Sequence, residues 1–207
     1  MTNTILTRRE REKQNRRNEI LKTALDLFSR KGFHNVSMQE IAQNAEFAVG
    51  TLYNFFKDKE DIYRVLVEEQ YEKFEIKLNN ALESNGDEIE KIKNFIQAKG
   101  EVFAENAPMI RLYFSETRGA RCNYRIGLEA ERKERYEKFL RKLAAVFESG
   151  IRNRKLESRL DPYYMAVALD SVTNAFLLLW LEDPERHSYS ENVKTIEKIF
   201  FERLIAS

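Results

Sequence analysis

From Ile20 onward, apolar residues recur every three or four positions, and no run alternates over the length of a strand. That period buries one face of a helix and leaves little for a sheet to use, so an all-α chain is expected. Ile20, Leu21, Ala24, Leu25, Leu27 and Phe28 form the first wide stripe, on a helix over roughly 10–31 closed by Lys31-Gly32. Ser37 stands three residues before Glu40, the spacing of a capping box, which predicts a short second helix from Met38 to about Ala45. A third short helix is expected over Val49–Phe56, and a long fourth, capped by Asp58, runs to about Ser84. Ser84-Asn85-Gly86-Asp87 is the clearest break. Five more helices are expected near 89–105, 109–117, 124–152, 161–181 and 190–204, about nine in all.

Composition removes whole classes. Seven Gly and three Pro are too few for a loop-rich or collagen-like chain. One cysteine, Cys122, rules out an internal disulfide framework, and two distant histidines leave no His-rich metal site. Cys122, flanked by Arg121 and Arg125, reads as a structural or surface thiol, with a redox sensor as the rival. No apolar signal stretch follows Met1, so the cell interior (cytoplasm) is the expected location. Tyr164–Leu181 is very apolar, but Asp170, Ser171, Thr173 and Asn174 interrupt it, which suits a buried helix with more than one neighbour. No nucleophile–base pair, phosphate-cradling glycine loop or metal-ligand set is present, so neither an enzyme nor a cofactor is expected.

Charge is unevenly placed. Residues 1–31 carry nine Lys/Arg against four acids, +5, so the remaining chain carries −4 of a total of +1. A basic end on an acidic body reads either as a polyanion-binding end, with Arg8, Arg9 and Arg11 reaching a groove or phosphates, or as a solvated arm.

Residues 37–56, SMQEIAQNAEFAVGTLYNFF, have the layout of a helix-turn-helix. Ile41, Ala42, Ala45, Leu52 and Phe55 or Phe56 take the inward positions, with Phe47 beneath the turn. Val49, Gly50, Thr51, Tyr53, Asn54 and Lys57 are left for the outer face, and such a face suits docking into a DNA major groove. On spacing alone, a plain helical hairpin inside a bundle is an equal reading.

The run Ser37, Ile41, Ala42, Ala45, Gly50, Thr51, Leu52, Tyr53, Phe55, Phe56, Lys59, Glu60 and Ile62, with Ile20, Ala24, Leu27, Phe28 and Lys31-Gly32-Phe33 before it, resembles the N-terminal domain of the TetR family of bacterial transcription regulators. The resemblance covers roughly residues 15–63 and implies a DNA-binding domain over 1–58 and a helical effector-binding and dimerisation domain over 59–207. It implies Ser37, Tyr53 and Lys59 as phosphate contacts, Gly50 as the point of close approach, and Gln39, Val49, Gly50, Thr51 and Asn54 as readers of bases. Three positions depart from the pattern. Glu46 replaces the turn glycine and is expected to take positive φ, Ala48 removes the side-chain cap of the third helix, and Val49 removes a charge.

The resemblance further implies a homodimer on a palindromic operator. The last two helices, with Met165, Leu169, Val172, Phe176, Leu179, Ile196, Ile199, Phe200 and Leu204, would form the dimer interface. An effector pocket would draw on Phe103, Met109, Tyr113, Phe114, Phe139, Phe147 and Trp180, with Arg111, Glu116, Arg118 and Asn174 as polar candidates. The expected effector is a moderately apolar small molecule that releases the DNA. A regulator without such a molecule is the alternative.

Overall fold

In the computed structural model, residues 7–118, 128–157 and 160–202 are described, with side chains outside 113–132. They form nine α-helices and no β-strand: α1 (Arg8–Lys31), α2 (Met38–Asn44), α3 (Val49–Tyr53), α4 (Lys59–Leu82), α5 (Glu88–Glu105), α6 (Ala107–Arg118), α7 (Leu128–Arg152), α8 (Pro162–Glu182) and α9 (Tyr189–Phe201). A 3₁₀ turn, Phe33–Asn35, lies between α1 and α2 and was not foreseen.

The chain divides into two compact units, one of residues 1–71 with 108–121, the other of 72–107 with 122–207. The division falls inside α4. That helix therefore has no single apolar stripe: Ile62, Leu66, Val67 and Leu82 are buried, while Ile76 is exposed.

In the first unit, α1 starts earlier than periodicity alone suggests, because Thr7 caps it. The Glu10 N–H donates to Thr7 Oγ1 at 3.3 Å, and the Thr7 N–H donates to Glu10 Oε2 at 2.7 Å. The helix ends at Gly32, whose φ of 79° lies where an L side chain is disfavoured. Its stripe buries Ile20, Leu21, Ala24, Leu27 and Phe28, and Phe33, Ile41, Leu52, Phe56 and Ile62 of the same unit are buried as well. Each such side chain contributes about 1.5–3 kcal/mol. Phe33 sits 5.1 Å from the Phe28 ring and 5.2 Å from Tyr63.

The second unit is built on Ile92, Phe95 and Ile96 of α5, Phe139, Leu143 and Phe147 of α7, Met165, Ala166 and Leu169 of α8, and Val193, Ile196, Phe200 and Phe201 of α9. Asp87 opens α5 with a reciprocal cap to Glu90, both bonds 2.9 Å. Asp161 caps α8 and Pro162 is its first residue, with the Tyr163 N–H donating to Asp161 Oδ1 at 2.8 Å. By length and composition α8 could cross a membrane. Here its inner side, Met165, Ala166, Leu169, Thr173 and Leu177, is buried in the unit's core.

Candidate nucleic-acid interface

The site is built on α2 and α3. Ser37 caps α2, its Oγ accepting from the Glu40 N–H at 3.2 Å. The expected return bond of the capping box is replaced, because the Glu40 carboxylate takes the Lys31 ammonium instead. The turn between the helices closes through the Phe47 N–H, which donates to Ala42 O at 2.9 Å. Glu46 carries the strain of that turn at φ 59°, as the sequence predicts for a non-glycine residue there. Ala48 precedes α3 without a side-chain cap.

α3 is shorter than expected and ends at Tyr53. Leu52 is fully buried and Phe56, rather than Phe55, is the deep aromatic. Outward lie Gly50 and Asn54, both exposed, with Val49 at 36% and Tyr53 at 53% exposure. Thr51 is half-buried, while Ser37, Gln39 and Lys57 are exposed. A Cβ added at Gly50 would meet nothing within 4 Å. The surrounding protein therefore gives no packing reason for a glycine at that point. The face is a short, bare ledge offering a backbone approach, a phenol, an amide and an aliphatic surface.

Lys59 ties the start of α4 to the segment before α2. Its ammonium donates to the carbonyls of Phe33 (3.1 Å), His34 (3.4 Å) and Val36 (3.1 Å) and lies 4.7 Å from the centre of the Phe33 ring. Its three donors are thus directed at the segment between α1 and α2. Nearby, Asp58 caps α4 by accepting from the Asp61 N–H at 2.7 Å.

The effector and interface residues fall as follows. Phe103, Phe139, Phe147, Asn174 and Trp180 belong to the second unit, and Met109 and Arg111 to the first. Phe139 and Phe147 are part of the second unit's core. The side chains of Tyr113, Phe114, Glu116 and Arg118, with Cys122 and Leu204, lie outside the described residues. Met165, Leu169, Ile196 and Phe200 are buried in their own unit, with Val172 and Phe176 packed against that core. The solvent side of these helices instead shows Tyr164, Leu179 and Ile199, exposed by 66%, 43% and 56%.

The sequence reading missed one polar node. Lys99 of α5 is ion-paired with Asp170 of α8, and both are buried. Tyr136 of α7 donates its hydroxyl to Asp170 Oδ2 at 2.8 Å, and Asn174 Nδ2 donates to the same oxygen at 3.0 Å. Burial holds the Lys99 ammonium below the usual lysine range, against the opposing pull of Asp170. An acid in the middle of the most apolar helix is the signal in the sequence.

The profile of "Bacterial regulatory proteins, tetR family" matches residues 20–66. The HTH-type transcriptional regulator HbdR of Aromatoleum sp. (strain CIB) is 24% identical over 113 residues, 55% of this chain and 49% of that protein. The chain spans about half the length of such curated relatives. Among solved structures, the fatty acid degradation regulator FadR from Bacillus halodurans superposes with a TM-score of 0.74 at 19% identity, covering 89% of this chain and 94% of that one. The FadR structure from Bacillus subtilis in complex with stearoyl-CoA gives 0.72 at 19% identity, covering 88% and 96%. At these identities the likeness is one of fold.

Proposed function

Because the chain belongs to the TetR family of bacterial regulatory proteins, we propose that it is a homodimeric, sequence-specific DNA-binding regulator of transcription, a repressor released from a palindromic operator by a small molecule. One observation carries this reading. The outward face of α3 is bare where its inward face is fully buried, and Gly50 opens that face without serving any internal contact. In the proposal, Val49, Gly50, Thr51 and Asn54 meet base edges with Gln39 beside them, and Ser37, Tyr53 and Lys57 meet phosphates. Leu179, Tyr164 and Ile199 supply the apolar face on which a second copy packs.

The effector is proposed to be an apolar small molecule. Stearoyl-CoA, bound in the B. subtilis FadR structure of similar fold, is the first probe. α4, shared by both units, is the proposed carrier of the signal. A ligand must prefer the released state about 10⁴-fold to move the population from 1:99 to 99:1.

The test is selection of random duplexes by the purified chain, followed by a salt titration on the winner. A near-palindrome bound by two protomers, with a steep negative salt slope, is expected. Recovery of no consensus would overturn the reading. Stearoyl-CoA is then added to the selected complex, and release is expected.

A further inference from the structure

The buried stripe of α1 does not stop where the core does. At about 100° per residue, Arg9, Lys13, Arg16 and Arg17 project on the same side of the helix as Ile20, Ala24 and Leu27. The acids Glu12, Glu19 and Asp26 lie along one flank of that line, about 80–120° round the helix from Ile20. The one acid on the basic side, Glu10, is engaged by the cap at Thr7. Toward its N-terminus the stripe thus changes from apolar to cationic.

The paired and unpaired cations sort accordingly. Arg17, the innermost, is fixed by Glu69 at 2.6 Å and lies 5.8 Å from the centre of the Phe56 ring, three residues past the end of α3. Arg9, Lys13 and Arg16 are exposed and form no ion pair among the described residues. Lys13 stands four residues from Arg9 and three from Arg16, spacings at which like charges oppose the helix. Cations in the first turns also oppose the helix dipole. The cap at Thr7 nevertheless keeps the segment helical. Acids stand at pairing spacing, Glu12 for Arg9 and Arg16 and Glu10 for Lys13, but Glu12 takes Arg8 at 2.9 Å and Glu10 takes the cap at Thr7, which leaves the three cations to an external row of anions.

We propose that this stripe is a second DNA-contact surface, on which Arg9, Lys13 and Arg16 lie along the phosphate backbone beside the groove that α3 enters. The inference rests on the DNA-binding reading above. The reach is adequate. From its base beside Phe56, the stripe runs about 12 Å from Arg17 to Arg9 at 1.5 Å per residue, similar to the width of a major groove at about 12 Å. The contact is made by a helix face, with no extended arm required, and it carries no base preference.

The experiment measures binding of the full chain to two 30-bp duplexes, one carrying the selected site and one scrambled, across a potassium chloride series. The stripe variant is R9Q/K13Q/R16Q. The control is K22Q/K133Q/K194Q, which removes the same charge from exposed positions away from the stripe. Circular dichroism checks that both keep their helix content. The stripe variant is expected to lose about 2–3 from the magnitude of the log–log salt slope per bound protomer, to weaken on both duplexes by the same factor, and to keep its preference for the selected one. The control is expected to lose less than half as much. Equal losses in the two variants would reduce the effect to net charge and overturn the proposal, as would an unchanged slope in the stripe variant. A wild-type chain that binds neither duplex would instead overturn the DNA-binding reading itself.

Discussion

The ring of Tyr189 occupies the space that a side chain at position 100 would need. A Cβ added to Gly100 would overlap the ring carbons, and the Tyr189 hydroxyl donates to the carbonyl of Ile96 one turn earlier on α5. Burial raises the phenol's pKa above its usual range, so the hydroxyl stays a donor throughout the physiological range. Gly100→Ala should therefore cost about 1–3 kcal/mol by overpacking. Tyr189→Phe should cost about 1 kcal/mol, the net value of one hydrogen bond. Urea denaturation of both variants checks the order, and a Gly100→Ala chain as stable as wild type would show that the ring can leave without cost.

Gly50 separates folding from function. Its Cβ position is open, so Gly50→Ala should leave the fold intact and raise stability by up to roughly 0.5–1 kcal/mol. On the proposed reading, the same methyl meets DNA and weakens operator binding by roughly tenfold or more, about 1.4 kcal/mol. Thermal unfolding and duplex binding on one preparation decide this, and unchanged affinity would remove Gly50 from the interface.

Glu46 holds a left-handed conformation at φ 59°. Glu46→Gly should relieve about 1–2 kcal/mol of backbone strain and lose part of that to the greater freedom of the unfolded chain, about 0.5–1 kcal/mol. A small rise in the unfolding midpoint is expected. A fall would mean that the Glu46 side chain stabilises the turn more than its backbone strains it.

Lys99 and Asp170 form a buried pair, and such pairs are costly to break singly. Lys99→Met strands a carboxylate and should cost about 3–5 kcal/mol, whereas Lys99→Met with Asp170→Leu should recover most of the loss. A double-mutant cycle by chemical denaturation reads the coupling directly. Additive losses would show that the two side chains act independently.

Leu179 tests the proposed dimer. It is 43% exposed, so Leu179→Glu should fold normally. Sedimentation should then give a monomer where the wild type gives a dimer, and operator affinity should fall by about 10²–10⁴ as the second half-site contact is lost. A dimer that survives the substitution would place the interface elsewhere.

Local signals made the helices and the helix-turn-helix legible. Apolar period, Gly32, Ser37, Asp87 and Asp161-Pro162 all act within a few residues of where they stand, and each works in the structure as its chemistry suggests. The strain at Glu46 was legible for the same reason. Contacts that join distant helices were not. Lys99 and Asp170 lie 71 positions apart, and their meeting depends on how α5 packs on α8, which no periodicity encodes. Four of the residues expected to serve a dimer, Met165, Leu169, Ile196 and Phe200, fill their own core. Apolar content alone does not say which side of α8 or α9 faces inward. The hold of Lys59 on carbonyls 23 to 26 positions upstream likewise leaves no side-chain signature.

The grip of Lys59 on the carbonyls of Phe33, His34 and Val36 is in effect a mechanical tether. Lys59 is the first residue of α4, and Val36 is the residue before the cap of α2. In the proposed switch, a slide or tilt of α4 would draw on these three hydrogen bonds, one of which holds the carbonyl of the peptide that joins Val36 to Ser37. The start of the helix-turn-helix is thereby moored to α4 by polar contacts as well as by the chain that follows α3.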